Sequence, residues 1–245
     1  MKSVQSLKVK IFSDGADKEG MIEMYKNPII QGFTTNPTLM RKAGITDYQG
    51  FAIDILNIIQ DRPISFEVFS DDFTEMYQQA LQISRWGKNV YVKIPVTNTA
   101  GEPAFDLIQK LAKKGVKQNV TAIMTLDQIQ NVSAALVNGP PSCISVFAGR
   151  IADTGRDPIP LMKNALEIIR AYPQQELIWA SPRELLNLFQ ADQIKCHIIT
   201  VTNDILKKMS LIGKALEEFS LETVKMFYED ATKAGFSLDC KASAA

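Results

Sequence analysis

Asn89-Val90-Tyr91-Val92-Lys93-Ile94-Pro95-Val96-Thr97 decides how the chain is read. Val90, Val92 and Ile94 alternate along a short β-branched run, the pattern of a strand with one face packed under helices. Tyr91, Lys93 and Pro95 then point the other way. Pro95 cannot donate a ladder hydrogen bond, so the strand is predicted to end there, with Lys93 near its C-terminal tip. A helix from Pro103 to Lys114 follows, and then a second apolar strand, Val116 to Thr121. This strand, helix, strand unit predicts two parallel neighbours joined by a crossover helix. A desolvated lysine tends to become a neutral amine able to attack a carbonyl. The plainer alternative is a lysine at a strand end that reaches solvent.

The same rhythm runs outward in both directions. Lys8 to Ser13, Pro28 to Phe33 and Ile64 to Phe69 read as strands before the Lys93 strand. Ser142 to Phe147, Glu176 to Ala180 and His197 to Val201 read as strands after Val116 to Thr121. Helix starts are marked by Asp17, by Asn36 before Pro37, and by the capping-box spacings Asp72/Glu75 and Thr125/Gln128. Gly149 to Asp157 reads as a loop, Ser181-Pro182-Arg183-Glu184 as a helix start, and Asn203 as the cap of a helix to about Glu217. One further helix follows from Leu221 to about Lys233. Eight strands, each followed by helix in units of about thirty residues, predict a closed (β/α)8 TIM barrel with an additional C-terminal helix. A doubly wound open sheet is the alternative. The barrel is expected to span 1–238 as one domain, with 239–245 a loose tail of little apolar content.

Composition excludes several functions. Lys plus Arg and Asp plus Glu both number 27, so no net field draws in nucleic acid or an anionic membrane. The N-terminus is polar and lacks a signal-peptide core, and no apolar run is long enough to span a bilayer. Cys143, Cys196 and Cys240 are widely spaced and read as buried apolar residues in a reducing compartment, so a cytoplasmic protein is expected. His197 is the single histidine, which rules out a multi-histidine zinc site. It begins a strand, far from that strand's C-terminal tip, and reads as a structural residue. Neither a P-loop nor Gly-x-Gly-x-x-Gly occurs.

In a barrel of this kind the chemistry lies at the C-terminal strand ends. Those positions hold Asp14, Asn36, Glu67, Lys93, Asn119, Thr121, Ser145, Arg150, Ser181, Arg183 and Thr200. Each has a bland reading: Asn36 a helix cap, Asp14 a turn residue, Arg150 a loop charge, Ser181 with Glu184 a capping box. Glu67 is the hardest to dismiss, because an unpaired carboxylate in Phe66-Glu67-Val68-Phe69 costs several kcal/mol. A Glu67–Lys93 pair on neighbouring strands would satisfy it, and the same pairing tunes both groups for catalysis.

Thr34-Thr35-Asn36-Pro37-Thr38-Leu39, Tyr91-Val92-Lys93-Ile94-Pro95-Val96-Thr97, Asn119-Val120-Thr121 and Ser145-Val146-Phe147-Ala148-Gly149-Arg150-Ile151 resemble transaldolase motifs, in transaldolase order. Ala180-Ser181-Pro182-Arg183 is similar to that family's later phosphate-site motif. The resemblance covers roughly residues 8–230 and includes the fructose-6-phosphate aldolases. It implies that Lys93 forms a Schiff base with the C2 carbonyl of a ketose phosphate and that Asp14 takes the C4 hydroxyl proton. It implies that Glu67 and Thr121 hold a proton-shuttling water, and that Asn36 and Asn119 hold hydroxyls of the three-carbon fragment. It implies phosphate contacts from Ser145, Arg150 and Arg183, with the helix N-terminus after Ser181. No metal or organic cofactor is implied. Sugar phosphates are the implied substrates, and homo-oligomers are usual among short relatives.

Glu67 stands where the aldolase branch usually has glutamine, which favours transfer of a dihydroxyacetone unit over its release. Val146, Pro182 and Glu184 depart from the usual proline, phenylalanine and asparagine. The last strand also runs into Thr200-Val201-Thr202-Asn203 without the usual proline, so the departures cluster at the phosphate end. Three readings stay open. One is a transaldolase of the pentose phosphate pathway. Another is a fructose-6-phosphate aldolase-like enzyme, or one acting on an unusual sugar. The third is a sugar-phosphate-binding barrel without catalysis.

Overall fold

The computed structural model describes residues 6–238. The expectation for 239–245, and with it Cys240, lies outside the described residues. Eight parallel strands close in chain order: β1 (Lys10–Asp14), β2 (Ile30–Thr34), β3 (Ile64–Glu67), β4 (Val90–Pro95), β5 (Gln118–Ile123), β6 (Ser142–Val146), β7 (Gln175–Trp179) and β8 (Ile198–Thr202). β1 pairs with β8 along its whole length, which closes the barrel and excludes the open sheet.

The helices that connect them are α1 (Lys18–Lys26), α2 (Pro37–Lys42), α3 (Tyr48–Ile58), α4 (Phe73–Ser84), α5 (Phe105–Lys113) and α6 (Leu126–Ala135). Further on come α7 (Ala148–Asp153), α8 (Pro158–Ile169), α9 (Leu186–Gln193), α10 (Asn203–Lys207) and α11 (Leu216–Lys233). Their starts follow local chemistry. Asp17 and Asn36 each accept a hydrogen bond from the third residue on, and Pro37 occupies the first turn, where its missing N–H costs nothing. Thr125 and Gln128 form the full reciprocal capping box. The Asp72 box is only half made: Asp72 caps the Glu75 N–H, but the Glu75 carboxylate accepts instead from Ser70 Oγ at 2.7 Å.

Three expectations are corrected. The stretch from Gly149, read as a loop, begins inside a short helix, α7. No helix starts at Ser181: that residue has φ +59°, and α9 begins only at Leu186. The helix at Asn203 does not reach Glu217. It tightens into a 3₁₀ turn at Lys208–Leu211, and the left-handed Gly213 then turns the chain before α11.

Alternation along the strands builds two separate cores. Val90, Val92 and Ile94 join the large cluster between sheet and helices, together with Phe66 and Val68. The opposite residues fill the barrel, where Phe12, Cys143, Ile178, Ala180 and Ile198 pack with Tyr91 and Phe147. Gly32 makes room there, because a Cβ on it would fall 2.5 Å from the Phe12 ring. The basal end carries the Lys10–Glu176 ion pair at 2.6 Å. There His197 Nδ1 accepts the Leu177 N–H at 3.1 Å, and burial lowers the imidazole's pKa, in keeping with a structural role.

Candidate active site

The cavity at the C-terminal strand ends has a volume of about 620 Å³. Nine of the ten expected site residues line it: Asp14, Asn36, Glu67, Lys93, Thr121, Ser145, Arg150, Ser181 and Arg183. The tenth, Asn119, is fully buried and lies outside the lining. A larger cleft of about 760 Å³ lies against His197 and Glu176. Both of its carboxylates are already paired, Glu176 with Lys10 and Glu167 with Arg170. The buried lysine–carboxylate pair, Lys93 with Glu67, lines the cavity at the other end.

Lys93 is brought there by the end of β4. Its side chain is only 7% exposed, and Nζ lies 3.0 Å from Glu67 Oε2 and 2.8 Å from the Thr35 carbonyl oxygen. The partner carboxylate comes from the register of the sheet, since Glu67 and Lys93 are paired positions on β3 and β4. The Thr35 carbonyl is available because β2 and β3 part after Thr34 and Ser65. The next rung of that parallel ladder would run from the Glu67 N–H to the Thr35 carbonyl. Instead the Glu67 N–H donates to Tyr48 Oη at 2.8 Å, and Tyr48 Oη donates to the Glu67 carbonyl at 2.7 Å.

Asp14 sits at the end of β1. Its Oδ1 accepts the Thr34 hydroxyl at 2.7 Å, and Thr34 is itself in short contact with the Thr200 hydroxyl. Burial raises the Asp14 pKa above the ordinary 3.8, as does the nearby Glu67 charge, while the Lys93 charge and the Thr34 hydrogen bond oppose the rise. A carboxylate of raised pKa next to a buried amine is equipped to accept a proton from a substrate hydroxyl.

The floor is a hydroxyl and amide network. Asn119 Nδ2 donates to Ser65 Oγ at 3.0 Å, and Ser145 Oγ donates to Asn119 Oδ1 at 2.7 Å. Thr121 Oγ1 is buried and has no partner among the described residues. Its strand is irregular: the β5–β6 register shifts between Val120 and Ile123, and Ala122 has φ +62°. Asn36 spends its Oδ1 on the Leu39 N–H at 3.0 Å, so the helix-cap reading holds for its oxygen and leaves the amide nitrogen.

At the rim, Arg150 lies over the Phe147 ring, 5.5 Å from its centroid. Arg183 is held by Asp153, Nε to Oδ1 at 3.0 Å and Nη2 to Oδ2. Its backbone N–H is capped by Asn187 Oδ1 at 2.8 Å, a bond made from inside α9. Thr34, Ser65, Tyr48 and Asp153 lie outside the expected site set, and Thr200 enters it only as a strand-end residue. For Thr34 and Ser65 the signal was present, since each shares the inward parity of a site residue on its own strand.

The sequence profile of the Transaldolase/Fructose-6-phosphate aldolase family matches residues 11–243. The chain belongs to that family. A "Probable transaldolase" of Dehalococcoides mccartyi is 34% identical over 202 residues, covering 82% of this chain and 90% of the relative. Another "Probable transaldolase", from Thermoanaerobacter sp. strain X514, is 32% identical over 231 residues, covering 94% of this chain and all (100%) of the relative. Among solved structures, 3-hexulose-6-phosphate synthase from Salmonella typhimurium superposes with a TM-score of 0.58 at 14% identity, covering 81% of this chain and 91% of that one. That likeness bears on the barrel alone; the family relationship rests on sequence. Among the described residues, no group of three or more His, Cys, Asp or Glu could hold a metal, and no helix is long and apolar enough to cross a membrane.

Proposed function

We propose that the protein is a transaldolase that moves a dihydroxyacetone unit between sugar phosphates through a Schiff base on Lys93. The observation that supports this most is the buried Nζ of Lys93, 3.0 Å from Glu67 in a cavity that also contains Asp14. A proton must leave Nζ before it attacks the C2 carbonyl of fructose 6-phosphate or sedoheptulose 7-phosphate, and Glu67 is placed to take it. The carbinolamine loses water to give a protonated imine, with Glu67 and the unpartnered Thr121 hydroxyl handling the water. Asp14 accepts the C4 hydroxyl proton. The C3–C4 bond breaks, its electron pair flows into the imine, and an enamine stays on Lys93 while the aldose phosphate leaves. Erythrose 4-phosphate or glyceraldehyde 3-phosphate then takes up the enamine, returning the C4 proton from Asp14, and hydrolysis frees the new ketose.

The positions of the polar groups support roles for the rest. Asn36, through its free amide nitrogen, and Ser145, from its place in the Asn119 network, hold the hydroxyls of the three-carbon fragment. Asn119 acts from beneath, by orienting Ser145. Arg150 and Arg183, at the rim with Ser181, take the phosphate. The expectation of a helix N-terminus after Ser181 plays no part, because that helix begins only at Leu186. Ser145 moves from the phosphate group to the fragment group because it is buried and bonded to Asn119. A cytoplasmic enzyme of the pentose phosphate pathway is consistent with this chemistry. A homo-oligomer is supported by α11, none of whose residues is buried and whose Phe227 and Tyr228 are 63% and 74% exposed.

Borohydride reduction in the presence of fructose 6-phosphate, followed by peptide mass spectrometry, tests the mechanism. A three-carbon adduct on Lys93 is expected, and an adduct on another lysine would overturn the reading. Dependence of turnover on erythrose 4-phosphate separates transfer from simple aldol release.

A further inference from the structure

Arg183 comes from the loop after β7 and Asp153 from the end of α7, and their geometry has a direction. Asp153 grips the guanidinium side-on, through Nε and Nη2. Arg183 lines the cavity and Asp153 does not, so the carboxylate holds the arginine from outside. The side-on grip leaves the Nη1 edge for an anion within. Exposed arginines ordinarily sample many rotamers, and an orientation fixed before binding removes that cost. The base of Arg183 is fixed as well. Asn187 Oδ1 caps its N–H and that of Glu184, and Gly149 of α7 packs against the Ser181 carbonyl so closely that a Cβ would lie 1.5 Å from it. Since α7 carries both Gly149 and Asp153, one short helix sets the position of the β7 loop and the direction of its arginine.

We propose that Asp153 is a positioning residue for the substrate's phosphate, bracing Arg183 so that its free guanidinium edge meets the phosphate of a ketose or aldose phosphate. This rests on the reading of Arg183 as a phosphate ligand. It makes Asp153 a determinant of the preference for phosphorylated over free sugars, although it touches neither.

The test compares Asp153→Asn, Asp153→Glu and Arg183→Ala with the parent enzyme, using fructose 6-phosphate and unphosphorylated fructose as donors. Asp153→Asn is expected to raise KM for fructose 6-phosphate roughly five- to tenfold, the effect of an unbraced charged hydrogen bond, with kcat little changed. Turnover of fructose and the thermal midpoint should stay as they were, since a half-exposed pair adds little to stability. Asp153→Glu should recover part of the loss. An unchanged or lowered KM in Asp153→Asn would overturn the proposal, and a lowered one would show that Asp153 competes with the phosphate. An equal loss with both donors would also overturn it. If Arg183→Ala raises KM for fructose 6-phosphate selectively and Asp153→Asn does not, only the bracing role fails. If Arg183→Ala leaves the phosphate preference intact, the reading of the phosphate end fails, and the proposal with it.

Discussion

Tyr48 replaces a strand for Glu67: a single phenol oxygen accepts the Glu67 N–H at 2.8 Å and donates to the Glu67 carbonyl at 2.7 Å. β2 has ended by this point, so without Tyr48 the β2-facing side of Glu67 loses its partner just where the carboxylate must face Lys93. The substitution also matters for Thr35, whose carbonyl is released from the ladder to accept Lys93 Nζ. In Tyr48→Phe the ring still packs against Phe66 and Trp86, but two backbone groups lose their partner. We expect a loss of about 2–6 kcal/mol in urea denaturation, at roughly 1–3 kcal/mol for each unsatisfied group. Imine trapping on Lys93 should slow by about tenfold with KM unchanged, as Glu67 loses its fixed direction. A stable variant that traps at the parent rate would show that Glu67 is held well enough by β4 alone.

Glu67→Gln keeps the shape and removes the proton acceptor nearest Lys93. Proton transfer by a positioned side chain contributes roughly 10²- to 10⁴-fold, so kcat for transfer should fall within that range. Rapid-quench measurement of the imine should locate the loss at its formation and hydrolysis, with donor affinity retained. Free release of dihydroxyacetone is expected to rise relative to transfer. Unchanged kinetics would make the Glu67–Lys93 pair a structural one.

Asp14 gives a pH signature whose sign follows from its raised pKa. A buried carboxyl that holds its proton more tightly in the folded state destabilises the fold when ionised. Stability is therefore greatest below the unfolded value of 3.8 and declines as pH rises through the raised folded value, then levels off. Asn at this position can still accept the Thr34 hydroxyl and never ionises. Asp14→Asn should thus match the parent in urea midpoint in acid and exceed it at neutral pH, while losing turnover. A parent that gains stability relative to the variant as pH rises would mean that Lys93 outweighs burial at this carboxylate. The same raised pKa places the acid limb of the parent's kcat above the ordinary aspartate range.

The barrel was legible because its signal is periodic. Val90, Val92 and Ile94 against Tyr91 and Lys93 specify two faces, and eight such segments spaced by helices close in one way. Lys93, Glu67 and Asp14 were legible because charge on the inward face of a strand is costly wherever it has no task. The remaining features carry no periodic signal. Tyr48 opens α3 as an ordinary aromatic, and its hydroxyl meets Glu67 only after the two strands part. The turn at Ser181 takes a left-handed φ that serine rarely adopts, so Ser-Pro-Arg-Glu looked like a cap when the helix begins at Leu186. α7 has no start signal in the sequence because no side chain caps it; Phe147 occupies that position with no capping bond. Asp153 lies 30 residues from Arg183, and no local spacing links them.

α11 offers a test away from the site. It exposes Leu216, Phe219, Val224, Phe227 and Tyr228 along 18 residues, none of them buried. A solvated helix carrying so many large apolar groups is what a subunit contact leaves when its partner is removed. Light scattering is expected to give a multiple of the 27.3 kDa chain mass. Phe227→Glu should lower that multiple without changing the circular dichroism. A monomeric parent would end the oligomer reading.

Gly149→Ala tests the crossing that supports the proposed phosphate end. A Cβ there would lie 1.5 Å from the Ser181 oxygen and 2.7 Å from its carbonyl carbon, both backbone atoms that cannot swing aside. Either α7 or the β7 loop must move, at a cost of about 1–3 kcal/mol for overpacking of this kind. Movement of the loop carries Arg183 with it, and movement of α7 carries Asp153 and Arg150. KM for fructose 6-phosphate should therefore rise by more than in Asp153→Asn. Lys93, on β4 and held by Glu67 of β3 and by the Thr35 carbonyl just past β2, should still be trapped by borohydride at saturating donor. Loss of trapping together with phosphate affinity would mean that the rim and the lysine are one mechanical unit. Retention of both would mean that the crossing yields more easily than its close packing implies.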